Sequence, residues 1–206
     1  MSTSTSAGPT IVGPSSAGIL MTPEEFDAIA DLDDRFHYEL IHGVLIVTPI
    51  PSEAESDPNE ELGFLLRDYQ ANHPQGSSLD LTLAERYVYT PNMRRRADRV
   101  IWAGLGRLPD TRIDVPTIVA EFVSADRRDR QRDYEQKRIE YLALGVQEYW
   151  VIDRFHRRLT VFRPGREPGS FLEIQVFEDS PTYQSSPLPG FHLPLARLLA
   201  VADRWN

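Results

Sequence analysis

Residues Pro116 to Ser124, Pro-Thr-Ile-Val-Ala-Glu-Phe-Val-Ser, are apolar at nearly every position, and this one stretch limits the folds open to the chain. A strand with water on one side alternates apolar and polar side chains. One that is apolar on both faces belongs at the centre of a sheet covered on both sides. The single carboxylate inside it, Glu121, cannot remain ionised and unpaired there without a large desolvation penalty, so it is protonated, paired with a cation or bound to a metal. Pairing with an arginine is the usual structural outcome, and the chain has 21 arginines to offer.

The flanking sequence supplies the layers. Thr22-Pro23-Glu24-Glu25 is a helix start, with Thr22 as N-cap, Pro23 at the first helical position and Glu25 closing a capping box; the helix is expected to reach about Asp34. Phe36 to Leu40 and Val44 to Thr48 read as a tight hairpin around His42-Gly43. Pro49 to Pro58 reads as an acidic loop and Asn59 to Asn72 as a helix with Leu62, Leu65, Leu66 and Tyr69 on its apolar stripe. Short strands are expected at 79–83, 86–89 and 99–103. A long helix follows from about Arg127 to Leu144, capped by Gly145, then a strand pair at 147–153 and 158–163, a strand at 171–177 and a last helix at 195–202. This order predicts one α+β domain over residues 21–206, a central mixed β-sheet flanked by helices, preceded by 20 Ser-, Thr-, Gly- and Pro-rich residues outside the fold.

Composition excludes several classes. No apolar run approaches the roughly 20 residues that span a bilayer, and the N-terminus lacks the pattern of a signal peptide, so a membrane partner is not expected. The absence of cysteine rules out disulfides, a thiol nucleophile and cysteine-bearing metal sites, and agrees with a cytoplasmic location. A net charge of −9 argues against tight coating of nucleic acid. Residues 94–138 nevertheless hold 12 Lys or Arg against 8 Asp or Glu, a net of +4 that leaves −13 for the remainder. Such a basic segment suits local contact with a phosphate backbone, and a salt-bridged, solvated helix face explains it as well. The five histidines show no metal-ligand spacing. There is no phosphate-binding G-x-x-x-x-G-K-[ST] loop, so no nucleotide cofactor is expected, and no G-x-S-x-G elbow.

The chain has one lysine, Lys137. Where arginine serves every ordinary positive charge, a surviving lysine marks a place for a compact ammonium that can lose its proton. Tyr134, Lys137, Arg138 and Tyr141 share one helix face, so Lys137 either points inwards between the tyrosines or pairs with Asp133 in water. Asp98, entering a strand after Arg94-Arg95-Arg96-Ala97, is the natural companion of Glu121, or else a strand-entry residue partnered by Arg96. Two such carboxylates suit Mg²⁺ or Mn²⁺, and a nearby lysine can orient an attacking water, the arrangement of phosphodiester hydrolysis.

The motifs Tyr38-Glu39-Leu40-Ile41-His42-Gly43, Arg95-Arg96-Ala97-Asp98, Val119-Ala120-Glu121-Phe122-Val123-Ser124 and Lys137-x-x-x-Tyr141-x-x-x-Gly145-Val146-x-Glu148-Tyr149-Trp150-Val151-Ile152-Asp153 resemble the Uma-two family of restriction-endonuclease-like proteins, within the PD-(D/E)XK nuclease superfamily. The similarity runs from about Met21 to about Leu199. It implies a restriction-endonuclease-like core and a metal-dependent endonuclease acting on DNA. Asp98 and Glu121 would be the metal-binding acids, with a main-chain carbonyl beside Glu121, at Phe122, as a further ligand. Lys137 would be the superfamily lysine; its usual place, two residues after the glutamate, is Val123 here. Glu39 matches another family acid that holds a second metal or a metal-bound water, or is a structural partner for a neighbouring arginine. Arg94, Arg95, Arg127, Arg128, Arg130 and Arg132 are the candidate contacts to the DNA backbone. A double-strand cut needs two sites, which is the reason for expecting a homodimer.

Two departures bear on activity. Ala97 stands where the family has proline, which alters backbone rigidity more than chemistry. Arg99 follows Asp98 directly and projects to the opposite face of a strand, unless it folds back to neutralise the acid. With the acids of residues 52–61, it favours the competing reading: a catalytically silent nuclease fold that binds nucleic acid or a partner copy. A glycosidase using Asp98 and Glu121 as its acid pair would need aromatic platforms that the sequence does not place.

Overall fold

The computed structural model describes residues 12–124, 132–167 and 169–205, with the backbone alone at Arg132 and Asp133. The chain divides into two compact units, Met1–Ile50 with Tyr89–Arg96, and Pro51–Val88 with Ala97–Asn206.

In the first unit the expected cap forms. The Thr22 hydroxyl accepts from the Glu25 N–H at 3.2 Å, and the Glu25 carboxylate accepts from the Thr22 N–H at 2.7 Å. The helix α1 is short, Pro23–Asp27. It does not reach Asp34 because the chain beyond it pairs elsewhere: Leu32 bridges Val12, and the Asp33 N–H donates to the Val12 carbonyl at 3.1 Å. Leu20 likewise bridges Val44, and the Gly18 N–H donates to the Leu45 carbonyl at 2.8 Å, so residues 12–20 join the fold through backbone hydrogen bonds that their side-chain composition does not reveal. The hairpin is as expected, β1 (Phe36–Ile41) against β2 (Val44–Pro49). His42 and Gly43 both have positive φ, 50° and 78°, as a two-residue turn matched to strand twist requires. The first residues of β4 (Arg94–Ala103) complete this unit, with Arg94 paired to Leu40.

The second unit contains the central sheet. The strand β3 (Leu79–Tyr89) pairs with β4 and is one strand where two were expected, bent at Glu85, whose φ is 53°. Next to β4 runs the two-sided apolar strand β5 (Ile118–Phe122), antiparallel to β4 and parallel to β6 (Glu148–Asp153). The antiparallel strands β7 (Arg158–Pro164) and β8 (Phe171–Phe177) extend it. The acidic stretch expected as a loop is instead the first turns of α2 (Glu53–Asn72). Its Ser52 N–H donates to Glu55 at 2.8 Å, and Glu53 and Glu55 sit at the positive end of the helix dipole, so the acids that looked like loop composition start the helix.

One face of the sheet packs Ile101, Ala120, Trp150 and Leu159 against Leu62 and Leu66 of α2 and Leu198 and Leu199 of α4 (Leu195–Ala202). The other packs Val100, Trp102, Val119, Tyr149 and Val151 against Tyr141 of α3 (Arg138–Leu144), which follows a π-helical turn, Arg132–Lys137. Gly145 ends α3 at φ 106°, with the Val146 N–H returning to the Tyr141 carbonyl at 3.0 Å. A small ribbon, β9 (Tyr183–Gln184) with β10 (His192–Leu193), completes the unit. No described helix is long and apolar enough to cross a membrane.

Candidate active site

Strand alternation sets the site. Along β5, Ala120 and Phe122 face α2 and α4, so Glu121 faces α3 with Val119. Along β4, Arg99 and Ile101 face α2, so Asp98 lies on the α3 side with Val100 and Trp102. Glu121 and Lys137 are each buried, and Lys137 Nζ lies 2.8 Å from Glu121 Oε1. The Tyr141 hydroxyl, one turn on, donates to the same oxygen at 3.2 Å. The inward alternative for Lys137 is therefore the one realised, and the side chain of Asp133 lies outside the described residues. A π-helical turn immediately before α3 carries Lys137 as its last residue, and such turns concentrate at functional sites.

Asp98 is half-buried, and its Oδ2 accepts the Phe122 N–H at 2.6 Å. Burial pushes its carboxyl well above the usual carboxylate range, the charge of Glu121 adds to this and Glu85 adds less, while Lys137 and the Phe122 N–H act in opposition. A buried carboxyl whose proton affinity is raised by a neighbouring carboxylate marks a place where a proton or a cation belongs.

Arg99 does not fold back. Its guanidinium donates to the Asn59 side chain at 2.7 Å, to the Asn59 carbonyl at 2.7 Å and to Thr82 Oγ1 at 3.2 Å, on the α2 face. Burial lowers its pKa to about 10. Asn59 also donates through Nδ2 to the Asp98 carbonyl at 2.8 Å, so one buried amide ties α2 to the backbone of Asp98 and to the side chain of Arg99. Sequence reading missed Asn59. Its signal was present, a polar residue in phase with Leu62, Leu66 and Tyr69 on the buried stripe.

Other expected residues fall differently. Glu39, in the first unit, is buried, accepts the Arg96 N–H at 2.9 Å and lies 3.9 Å from Arg95. Its contacts there are those of a structural partner for neighbouring arginines. Arg94 and Arg95, expected as contacts to the DNA backbone, are engaged within the first unit: Arg95 is fully buried, and Arg94 is bonded to Asp27 at 2.8 Å and to the carbonyls of Thr90 and Met93. Guanidiniums so engaged do not present themselves to a phosphate. Arg127, Arg128 and Arg130 lie outside the described residues, as does the side chain of Arg132.

Among the described residues no three His, Cys, Asp or Glu side chains gather to hold a metal. The donors on the α3 face are oxygens of Asp98 and Glu121, hard ligands without nitrogen or sulfur. They fit a divalent cation that binds through one or two carboxylates and keeps several waters, as Mg²⁺ and Mn²⁺ do, and do not fit a tetrahedral zinc site.

Comparison with known proteins agrees with this fold. The model of the Uma2 family, described as "Putative restriction endonuclease", matches residues 23–196. The crystal structure of a putative nuclease belonging to DUF820 from Anabaena variabilis superimposes with a TM-score of 0.70 at 19% identity, covering 88% of this chain and 99% of that one. No curated protein matches.

Proposed function

From the premise that this chain belongs to the Uma2 family, we propose that it is a metal-dependent endonuclease hydrolysing DNA phosphodiester bonds at Asp98, Glu121 and Lys137. The observation that carries the reading is the buried Lys137–Glu121 pair beside Asp98 on one face of the central sheet. Asp98 and Glu121 would hold Mg²⁺ or Mn²⁺, with the Phe122 carbonyl as a further donor. When bound, the cation polarises the phosphate and lowers the pKa of an attacking water. The rest is done by the chain. The Phe122 N–H fixes the rotamer of Asp98, and Asn59 fixes the strand beneath it. Tyr141 and Lys137 both hold Glu121 by one oxygen, which sets the direction of its carboxylate. Lys137 would orient a water and offset charge as it develops on the transferring phosphate.

Calorimetric titration of Mn²⁺ tests this, alone and with a nuclease-resistant phosphorothioate duplex present, alongside cleavage of an unmodified duplex. Wild type should bind, Glu121→Ala should not, and Lys137→Met should bind while losing cleavage by roughly 10²–10⁴-fold. Absence of binding by folded wild type under both conditions would return the chain to the catalytically silent reading.

A further inference from the structure

The strand β8 has one bonded edge and one open edge. It pairs with β7 one residue to one along its whole length, and no other strand among the described residues joins it. An open edge offers a row of backbone donors and acceptors to another chain, and proteins usually guard it with lysine, proline, a bulge or a cover. This edge has no lysine, proline or bulge. The strand reads Phe-Leu-Glu-Ile-Gln-Val-Phe, with Phe171, Leu172 and Phe177 exposed by 39%, 57% and 46%.

The strand is also nearly its own reverse. We propose that β8 pairs antiparallel with β8 of a second copy of this chain, about a twofold axis through Ile174. In that register Phe171 stands opposite the second copy's Phe177, Leu172 opposite Val176 and Glu173 opposite Gln175, and each pair recurs on the far side of the axis. Apolar groups meet apolar groups, and the one charged residue meets an amide that can donate to it. Neighbouring registers are worse. Centring on Glu173 sets two carboxylates face to face, and centring on Gln175 sets Glu173 against phenylalanine.

The surroundings fit the same partner. On the α3 side of the sheet lies a cavity of about 580 Å³ lined by Arg138, Ile139, Leu142, Arg166 and Phe171. The guanidinium of Arg138 sits 4.0 Å from the Phe171 ring centroid, and Ile139 is 63% exposed. A twofold axis normal to the sheet preserves its faces, so the second copy's Phe177 falls on the face of Phe171, at the mouth of this cavity. The pairing joins two sheets into one and does not depend on the activity proposed above.

Sedimentation equilibrium of the full chain tests the proposal. Wild type should dimerise. Gln175→Glu, an exposed change that sets two carboxylates opposite Glu173 residues, should weaken the dimer at least tenfold, and Gln175→Lys should preserve or tighten it. Because the chain has no cysteine, Ile174→Cys should oxidise to a covalent dimer, the paired Cβ atoms being about 5 Å apart. A wild type that remains monomeric at concentrations on the order of 100 µM would overturn the proposal. So would a dimer that is equally stable in both Gln175 variants and does not cross-link through Cys at 174.

Discussion

Buried charge organises this chain at the scale of single residues, and each buried group has a different answer. Glu121 is met by an ammonium, Arg99 by an amide and two oxygens, and His37 by giving up its proton. Burial, helped by the charge of Arg96 and opposed by that of Glu39, lowers the pKa of His37 to about 4. Since the unfolded chain protonates this imidazole near pH 6.5, the group contributes stability that is fully present above that value. The contribution is lost as pH falls towards 4. Because the ring is only half-buried, solvent screening reduces the effect to about 1–2 kcal/mol. Urea melts of wild type and His37→Gln at pH 7.5, 5.5 and 4.5 should converge as the medium becomes acidic, with wild type losing more stability than the variant. A constant difference across that range would mean that His37 does not titrate with folding.

Among the elements, those that were legible in sequence carried their own local signals. The cap at Thr22, the turn at His42-Gly43, the stop at Gly145 and the two-sided strand at Glu121 are each set by a few adjacent residues, and each stands where it was read. Two element lengths were misread, one set by a distant partner and the other by a cap that acidic, proline-bearing composition hid. The helix α1 stops early because Leu32 is claimed by Val12, and α2 begins early because Ser52 and Glu55 cap it despite Pro58. The site divides similarly. Apolar context singled out Asp98 and Glu121, and its being the one lysine singled out Lys137, whereas the phase of Asn59 on the helix stripe told of its burial but not of its partner, 39 positions away. That amide is the link between α2 and β4. Asn59→Ala removes a partner from a buried guanidinium and the support of the Asp98 carbonyl, which should destabilise the fold by about 2–3 kcal/mol. It should also weaken Mn²⁺ binding about tenfold, as loss of an outer support of a metal ligand does. Thermal melts and Mn²⁺ calorimetry read the two effects separately; unchanged affinity in a destabilised variant would make Asn59 a packing residue alone.

For the whole molecule the question is how a chain of net charge −9 approaches a polyanion. With Arg94 and Arg95 engaged inside the first unit, the expected backbone contacts that remain are Arg127, Arg128, Arg130 and Arg132, interleaved in sequence with Asp126, Asp129 and Asp133. Contact through four cations is a small electrostatic grip. With one phosphate neutralised per arginine, the logarithm of DNA affinity should fall with the logarithm of salt with a slope of about −3.6 for a monomer. A twofold dimer engaging both copies should double the slope to about −7. The two proposals therefore meet in one measurement. Fluorescence anisotropy on a phosphorothioate duplex between 50 and 200 mM salt should give the steeper slope for wild type and the shallower one for Gln175→Glu, in which the strand pairing is broken. Replacing one of the four arginines by alanine should flatten the slope by about 1 per copy without changing the preference among sequences. A steep slope indifferent to all four would place the phosphate contacts elsewhere on the surface, and a flat one would remove DNA as the partner, because an acidic shell of −13 leaves no other attraction strong enough to replace them.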